Sequence, residues 1–116
     1  MAASWAANRL ASDGSAVAAG YGPSPFATAL ALHVVARSAP TGKNEMRAGR
    51  KAIAWLLAEQ RADGSWAPSS RLRVPAPDEL DPLASPGTTL TYVDDDACFT
   101  TATVLAALGA GSAGGL

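Results

Sequence analysis

With 116 residues, a formal net charge of −1 and a pI near 5.6, the chain makes one domain at most, yet it is long enough to bury a core of its own. Apolar residues reach 48 % while aromatics stay at 6 %, so small and aliphatic side chains carry the hydrophobicity, which favours packed helices over a β-sandwich. The basic residues are scattered, which argues against a nucleic-acid partner. Cys98 is the only cysteine and has no internal disulfide partner.

Residues 2–11 are alanine-rich, with Trp5 and Leu10 as the large apolar groups, and predict a short helix stopped by Asp13-Gly14. A Gly/Ala loop with Tyr21 follows. Ser24-Pro25 then supplies an N-cap and a first-turn proline, so a second helix is expected from Pro25 to Ser38. It is apolar on nearly every face, as an inner helix surrounded by others would be. Ala39-Pro40 ends it and Thr41 is the expected cap of the next helix. That third helix carries polar residues at 43, 44, 47, 50, 51 and 59, opposing Met46, Ile53, Trp55, Leu56 and Leu57, the pattern of an outer helix with one buried side. Its basic run at 47, 50 and 51 reads as a solvated face. Asp63-Gly64 stops it.

Residues 67–93 hold five of the eight prolines and are too long for an ordinary connection. Residues 71–74 and 89–93 alternate in the way of a small β-hairpin. The last helix is expected from Asp94 to Leu108, with aspartates at its positive end. Gly109 and Gly111 would end it, and the Gly/Ser/Ala tail would be floppy. Cys98 is expected to be a buried small residue. No apolar stretch approaches the roughly 20 residues that cross a bilayer. The first residues lack the charged and apolar segments of a secretory signal, so a cytoplasmic protein is expected.

The chain repeats itself. Aligning Asp13-Gly14-Ser15 with Asp63-Gly64-Ser65, 50 residues on, also lays Trp5 on Trp55. Leu10 then stands where Gln60 does, and Ala16 where Trp66 does. Laying Phe26 on Phe99 matches Thr28 with Thr101, Ala29 with Ala102 and Leu32 with Leu105, but now at an offset of 73. The second copy therefore holds 23 extra residues in the loop before Asp94. The expected architecture is outer helix, turn, inner helix, twice over: repeat 1 at about 2–38 and repeat 2 at about 43–109. Two such pairs leave the inner helices partly uncovered, since repeat units depend on their neighbours. The chain is accordingly expected to be a fragment, a remnant, or a protomer that needs further repeats or self-association.

Lys51, Ala52, Trp55, Leu56, Leu57, Gln60, Gly64 and Trp66 together resemble the QW repeat of the squalene-cyclase and prenyltransferase superfamily. The resemblance implies an all-α fold of the α/α-toroid type, forming an incomplete ring here. It also implies chemistry on isoprenoids, with an isoprenoid or other apolar small molecule as partner, peripheral rather than transmembrane contact with a bilayer, and no cofactor. Gln60, Gly64 and Trp66 would be structural, the glutamine bonding to the next helix and the tryptophan stacking over it.

Residues 92–97, YVDDDA, are similar to the Asp-x-Asp-Asp-Thr-Ala motif of class II terpene cyclases. In that match Asp94 is the proton donor for a protonation-initiated cyclisation and Asp95 its neighbour. Tyr92 stands where the first aspartate would be, and Asp96 replaces the threonine. Tyr92, Phe99, Arg71 and Arg73 are the expected substrate-binding residues, arginine suiting a diphosphate. The same aspartates also read, and more simply, as caps for a helix N-terminus, whose dipole lowers a carboxyl pKa. That leaves a non-catalytic scaffold or binding module as the alternative.

A further alternative comes from Asp96-Ala97-Cys98-Phe99, which looks like the zinc-binding element of the protein prenyltransferase β-subunit. A catalytic zinc site needs three protein ligands. The one histidine, His33, lies ten residues beyond the position equivalent to Asp96, about 15 Å along its helix, so no metal site is expected.

Overall fold

The computed structural model describes residues 2–18, 22–38, 42–74, 77, 78, 80 and 90–116. The chain is all-α but for two small hairpins. Its first helix, α1 (Ala2–Ala7), is shorter than the sequence predicts. The chain turns back beyond it: the Asn8 and Arg9 N–H groups bond to Ser4 and Ala6 carbonyls, and Leu10 pairs with Ala16 in an isolated bridge. The turn between them is closed by Asp13, whose carboxylate accepts both the N–H and the hydroxyl of Ser15. Strands β1 (Val17–Ala18) and β2 (Gly22–Pro23) then pair antiparallel, where only a loop was expected.

Helix α2 (Pro25–Arg37) starts as its sequence dictates. The Ser24 hydroxyl oxygen accepts the Ala27 N–H at 3.0 Å, and Pro25 occupies the first turn. Helix α3 (Lys43–Glu59) is capped at Gly42 and buries Gly49, Ala52 and Leu56, an i, i+3, i+7 stripe along one side. Leu57, expected on that side, is one residue out of register and 55 % exposed. The capping role expected of Thr41 and much of the long loop at 75–89 fall outside the described residues. What is described of that loop contains the anticipated hairpin, β3 (Arg71–Val74) antiparallel to β4 (Leu90–Val93), with Arg71 opposite Val93 and Leu72 opposite Tyr92.

The last helix, α4, runs from Cys98 to Ala113, which corrects both of its expected ends. Asp94–Asp96 lie before it in a turn, because Ala97 takes a left-handed conformation (φ 58°) that no helix continues through. At the other end Gly109 and Gly111 lie within the helix. Gly111 is buried, and a Cβ there would come within 3.1 Å of Ile53 Cδ1, so this glycine serves close packing against α3. The tail is not floppy: the Leu116 N–H bonds to Gly111 O at 2.9 Å, and the Leu116 side chain packs against Gly49 and the core.

The helices form two layers, α1 beside α3 and α2 beside α4, with α2 and α4 making the most extensive contact. The core joins Ala29 and Leu32 of α2, Ala52 and Leu56 of α3, Val104 and Ala107 of α4, and Trp66 from the turn after α3. Fully burying Leu32, Leu56 and Val104 stabilises by about 1.5–3 kcal/mol each. Among the described residues, no helix is long and apolar enough to cross a membrane.

Candidate functional site

The N-termini of the two inner helices lie side by side, and the strand of chain after Trp66 is bonded to both. The Ser69 hydroxyl accepts the Phe26 N–H of α2 at 3.0 Å, while the N–H groups of Ser69 and Ser70 donate to Thr100 Oγ1 of α4. Phe26 and Phe99, which the repeat alignment superimposes, meet here with ring centroids 5.7 Å apart. Phe99 is 62 % exposed and Phe26 half-buried. Phe99 was expected at the site; Phe26 was not, although its equivalence with Phe99 was the signal that would have placed it there.

Asp94 is tied into this corner. One carboxylate oxygen accepts the Phe99 N–H at 3.2 Å and the other accepts the Thr100 N–H at 2.6 Å. It therefore caps α4 from four residues before its first residue, in place of Ala97, which has no capping side chain. Burial pushes the Asp94 carboxyl up, but hydrogen bonds from the Thr100 N–H and hydroxyl, the Phe99 N–H and the Ser70 hydroxyl outweigh it, and its pKa lies below the ordinary 3.8. Asp95 and Asp96 are exposed. The backbones of Arg71, Arg73 and Tyr92 lie on the β3–β4 hairpin that leads into this turn.

Gln60, Gly64 and Trp66 lie in the turn that leaves α3. The Gln60 amide donates to Gly64 O at 2.9 Å, closing its own turn instead of reaching another helix. Gly64 supplies the left-handed residue (φ 89°) that the sharp exit from α3 needs. Trp66 is 1 % exposed; its indole N–H donates to Leu56 O at 2.6 Å, while its backbone N–H donates to Thr101 Oγ1 of α4 and its side chain lies in the core shared with α2 and α4.

Cys98, expected to be buried, is exposed at the start of α4. Among the described residues no three His, Cys, Asp or Glu side chains converge as metal ligands, and His33 lies on the far side of α2, in a groove with Trp5 and Arg9.

Paired outer and inner helices, with a small hairpin before the second inner helix, have the terpenoid-cyclase α/α-toroid-like fold of known solved structures. A crystal structure of a protein from Actinoplanes matches 95 % of this chain with 39 % identity and a TM-score of 0.84. The type II terpene cyclase MstE from Scytonema matches 97 % of it, with 28 % identity and a TM-score of 0.84 without ligand, and 29 % and 0.83 in complex with its substrate, geranylgeranyl dihydroxybenzoate. The chain spans 36 % of the length of each of these solved structures. No family model matches the chain, and no curated protein does.

Proposed function

We propose that this chain forms part of an isoprenoid-binding toroid of the type II terpene cyclase kind, with its mouth at the N-termini of α2 and α4. The observation that carries this reading is the match over 97 % of the chain to a cyclase whose substrate and product complexes are both solved. The Phe26–Phe99 pair supports it, because aromatic faces suit a polyene and stabilise a cation passing over them. Asp94 is the proposed donor and Asp95 its neighbour, with Tyr92, Arg71 and Arg73 on the hairpin alongside. The carboxyl proton passes to an alkene carbon, leaving a carboxylate and a tertiary carbocation. The next double bond attacks that cation to close a ring, and loss of a proton at the end restores the balance.

The lowered pKa of Asp94 opposes this chemistry in the free chain. Donation requires an apolar substrate that excludes water and favours the neutral acid. That same observation supports the second reading, a binding module in which Asp94 is only a cap. Incubating geranylgeraniol with the chain in an assembly that completes the ring, since the chain alone is not expected to turn over, separates them. Cyclised product by gas chromatography–mass spectrometry, absent in Asp94→Asn while tryptophan quenching still reports binding, is the expected result. Binding without product in either protein moves the assignment to the module, and absence of binding overturns both.

A further inference from the structure

The β3–β4 ladder ends one rung short of the candidate acid. It pairs Arg71 with Val93 and Leu72 with Tyr92, so the next pair of positions in the same register is Ser70 and Asp94. Residues directly opposed in an antiparallel pair have Cβ atoms about 4.5–5.5 Å apart, which lets a serine hydroxyl meet a carboxylate. The Ser70 hydroxyl does bond to Asp94. Ser69, one residue earlier, receives the Phe26 N–H of α2, so the segment carrying Ser70 is anchored on both inner helices.

Thr100 locks this pair from α4. Its Oγ1 accepts the N–H groups of Ser69 and Ser70 at 3.2 and 3.3 Å, which fills both lone pairs of the hydroxyl oxygen. One proton is left to donate, towards Ser70 Oγ at 3.5 Å or towards the Asp94 carboxylate. A separation of 3.5 Å is long for O–H···O and an ionised acceptor is the stronger one, so the carboxylate takes it. Ser70 is 8 % exposed and Thr100 0 %, which leaves bulk water little access to either hydroxyl.

We infer that Ser70 is a positioning residue for Asp94: its hydroxyl, placed by the end of the hairpin and by Thr100, fixes the carboxylate at the head of α4 and stabilises its charge once the proton has left. This rests on the reading of Asp94 as the proton donor. An alkene is a very weak base, so the acid that protonates it must leave a well-stabilised anion behind. Ser70 and Thr100 supply that stabilisation with hydroxyls already aimed at the carboxylate, and Ser70 acts only through Asp94.

The test follows the Asp94 carboxyl carbon by NMR through an acid titration of the chain. In Ser70→Ala that carboxyl should titrate at higher pH than in the wild type, because one donor to the anion is gone. Ser70→Thr keeps a hydroxyl and should bring the midpoint back towards the wild type. Asp13 and Asp63, held by Ser15 and Ser65 in their own turns, should move in neither variant and report an intact fold. Asp95 and Asp96 on the same turn, and Arg71 next along β3, are left unaltered by these substitutions. If Ser70→Ala does not fold, Ser70→Cys keeps the shape with a weaker donor and should shift Asp94 upward by less. An Asp94 titration indifferent to loss of the hydroxyl overturns the inference, and so does one that Ser70→Thr fails to restore. The titration needs no turnover, so it can fail while Asp94→Asn still abolishes product. Product surviving in Asp94→Asn removes the donor reading whatever the titration shows.

Discussion

The two repeats solve one structural problem with different residues. In both, an aspartate holds the following serine by its N–H and hydroxyl, and the next glycine is left-handed (Gly14 at 93°, Gly64 at 89°). In both, the residue after that serine donates its N–H to a threonine on the inner helix: Ala16 to Thr28 at 2.8 Å and Trp66 to Thr101 at 3.2 Å. The copies part at the caps and the filling. Repeat 1 caps its inner helix with Ser24, whereas repeat 2 has Ala97 there and borrows Asp94. Repeat 1 fills the corner after its turn with Ala16, and repeat 2 with Trp66. A shared backbone scheme leaves side-chain positions free to diverge, and that divergence brings the Asp94 carboxylate to the N-terminus of the second inner helix.

The asymmetry in filling is the easiest to break. Trp66→Ala removes a buried indole and its bond to Leu56 O, and should cost about 3–5 kcal/mol in urea denaturation. Gly14→Ala should cost about 3 kcal/mol, the left-handed penalty plus that of forcing two backbones apart. Gly64→Ala should cost only about 1–2 kcal/mol, since space is open there. Equal losses at the two glycines would refute the difference in packing. Thr28→Val leaves the Ala16 N–H buried without an acceptor and should destabilise by about 1–3 kcal/mol, more than the same change at half-buried Thr101.

Asp94→Ala tests the cap, at about 1 kcal/mol. The Asp94 pKa is depressed on folding, so its contribution is full above the ordinary 3.8 and is lost as pH falls through the lower folded value. Acid unfolding of the variant should therefore be shallower below about pH 4. A residual slope is expected from Asp13, lowered by the N–H and hydroxyl of Ser15, and from Asp63, lowered by the hydroxyl and N–H of Ser65. An unchanged pH profile would show that the cap does not hold in solution.

The local grammar of this fold was legible because it is set by short-range chemistry. Ser24-Pro25 starts a helix, Asp-Gly-Ser makes a turn, and an alternating segment pairs across a loop. Repeating these signals at 50 and 73 residues was enough to pair outer with inner helices. The ends of α4 were not legible. A glycine in a sequence reads as a stop, but Gly111 is buried against Ile53, and only the neighbouring helix reveals that the missing side chain is what allows the approach. Nor could the aspartate run show that Asp94 reaches forward over a left-handed alanine to cap Phe99 and Thr100, because that depends on the path of the turn.

The candidate site divides in the same way. By itself the sequence determined the helical class, the repeat and the stretch in which carboxylates cluster, since periodicity and composition encode which faces are buried. Tertiary structure alone decided that Phe26 stands beside Phe99, that Asp94 is held as a bonded anion, and that Gln60 closes its own turn. Each of these depends on how close two backbones come, and that distance is set by packing across the whole core.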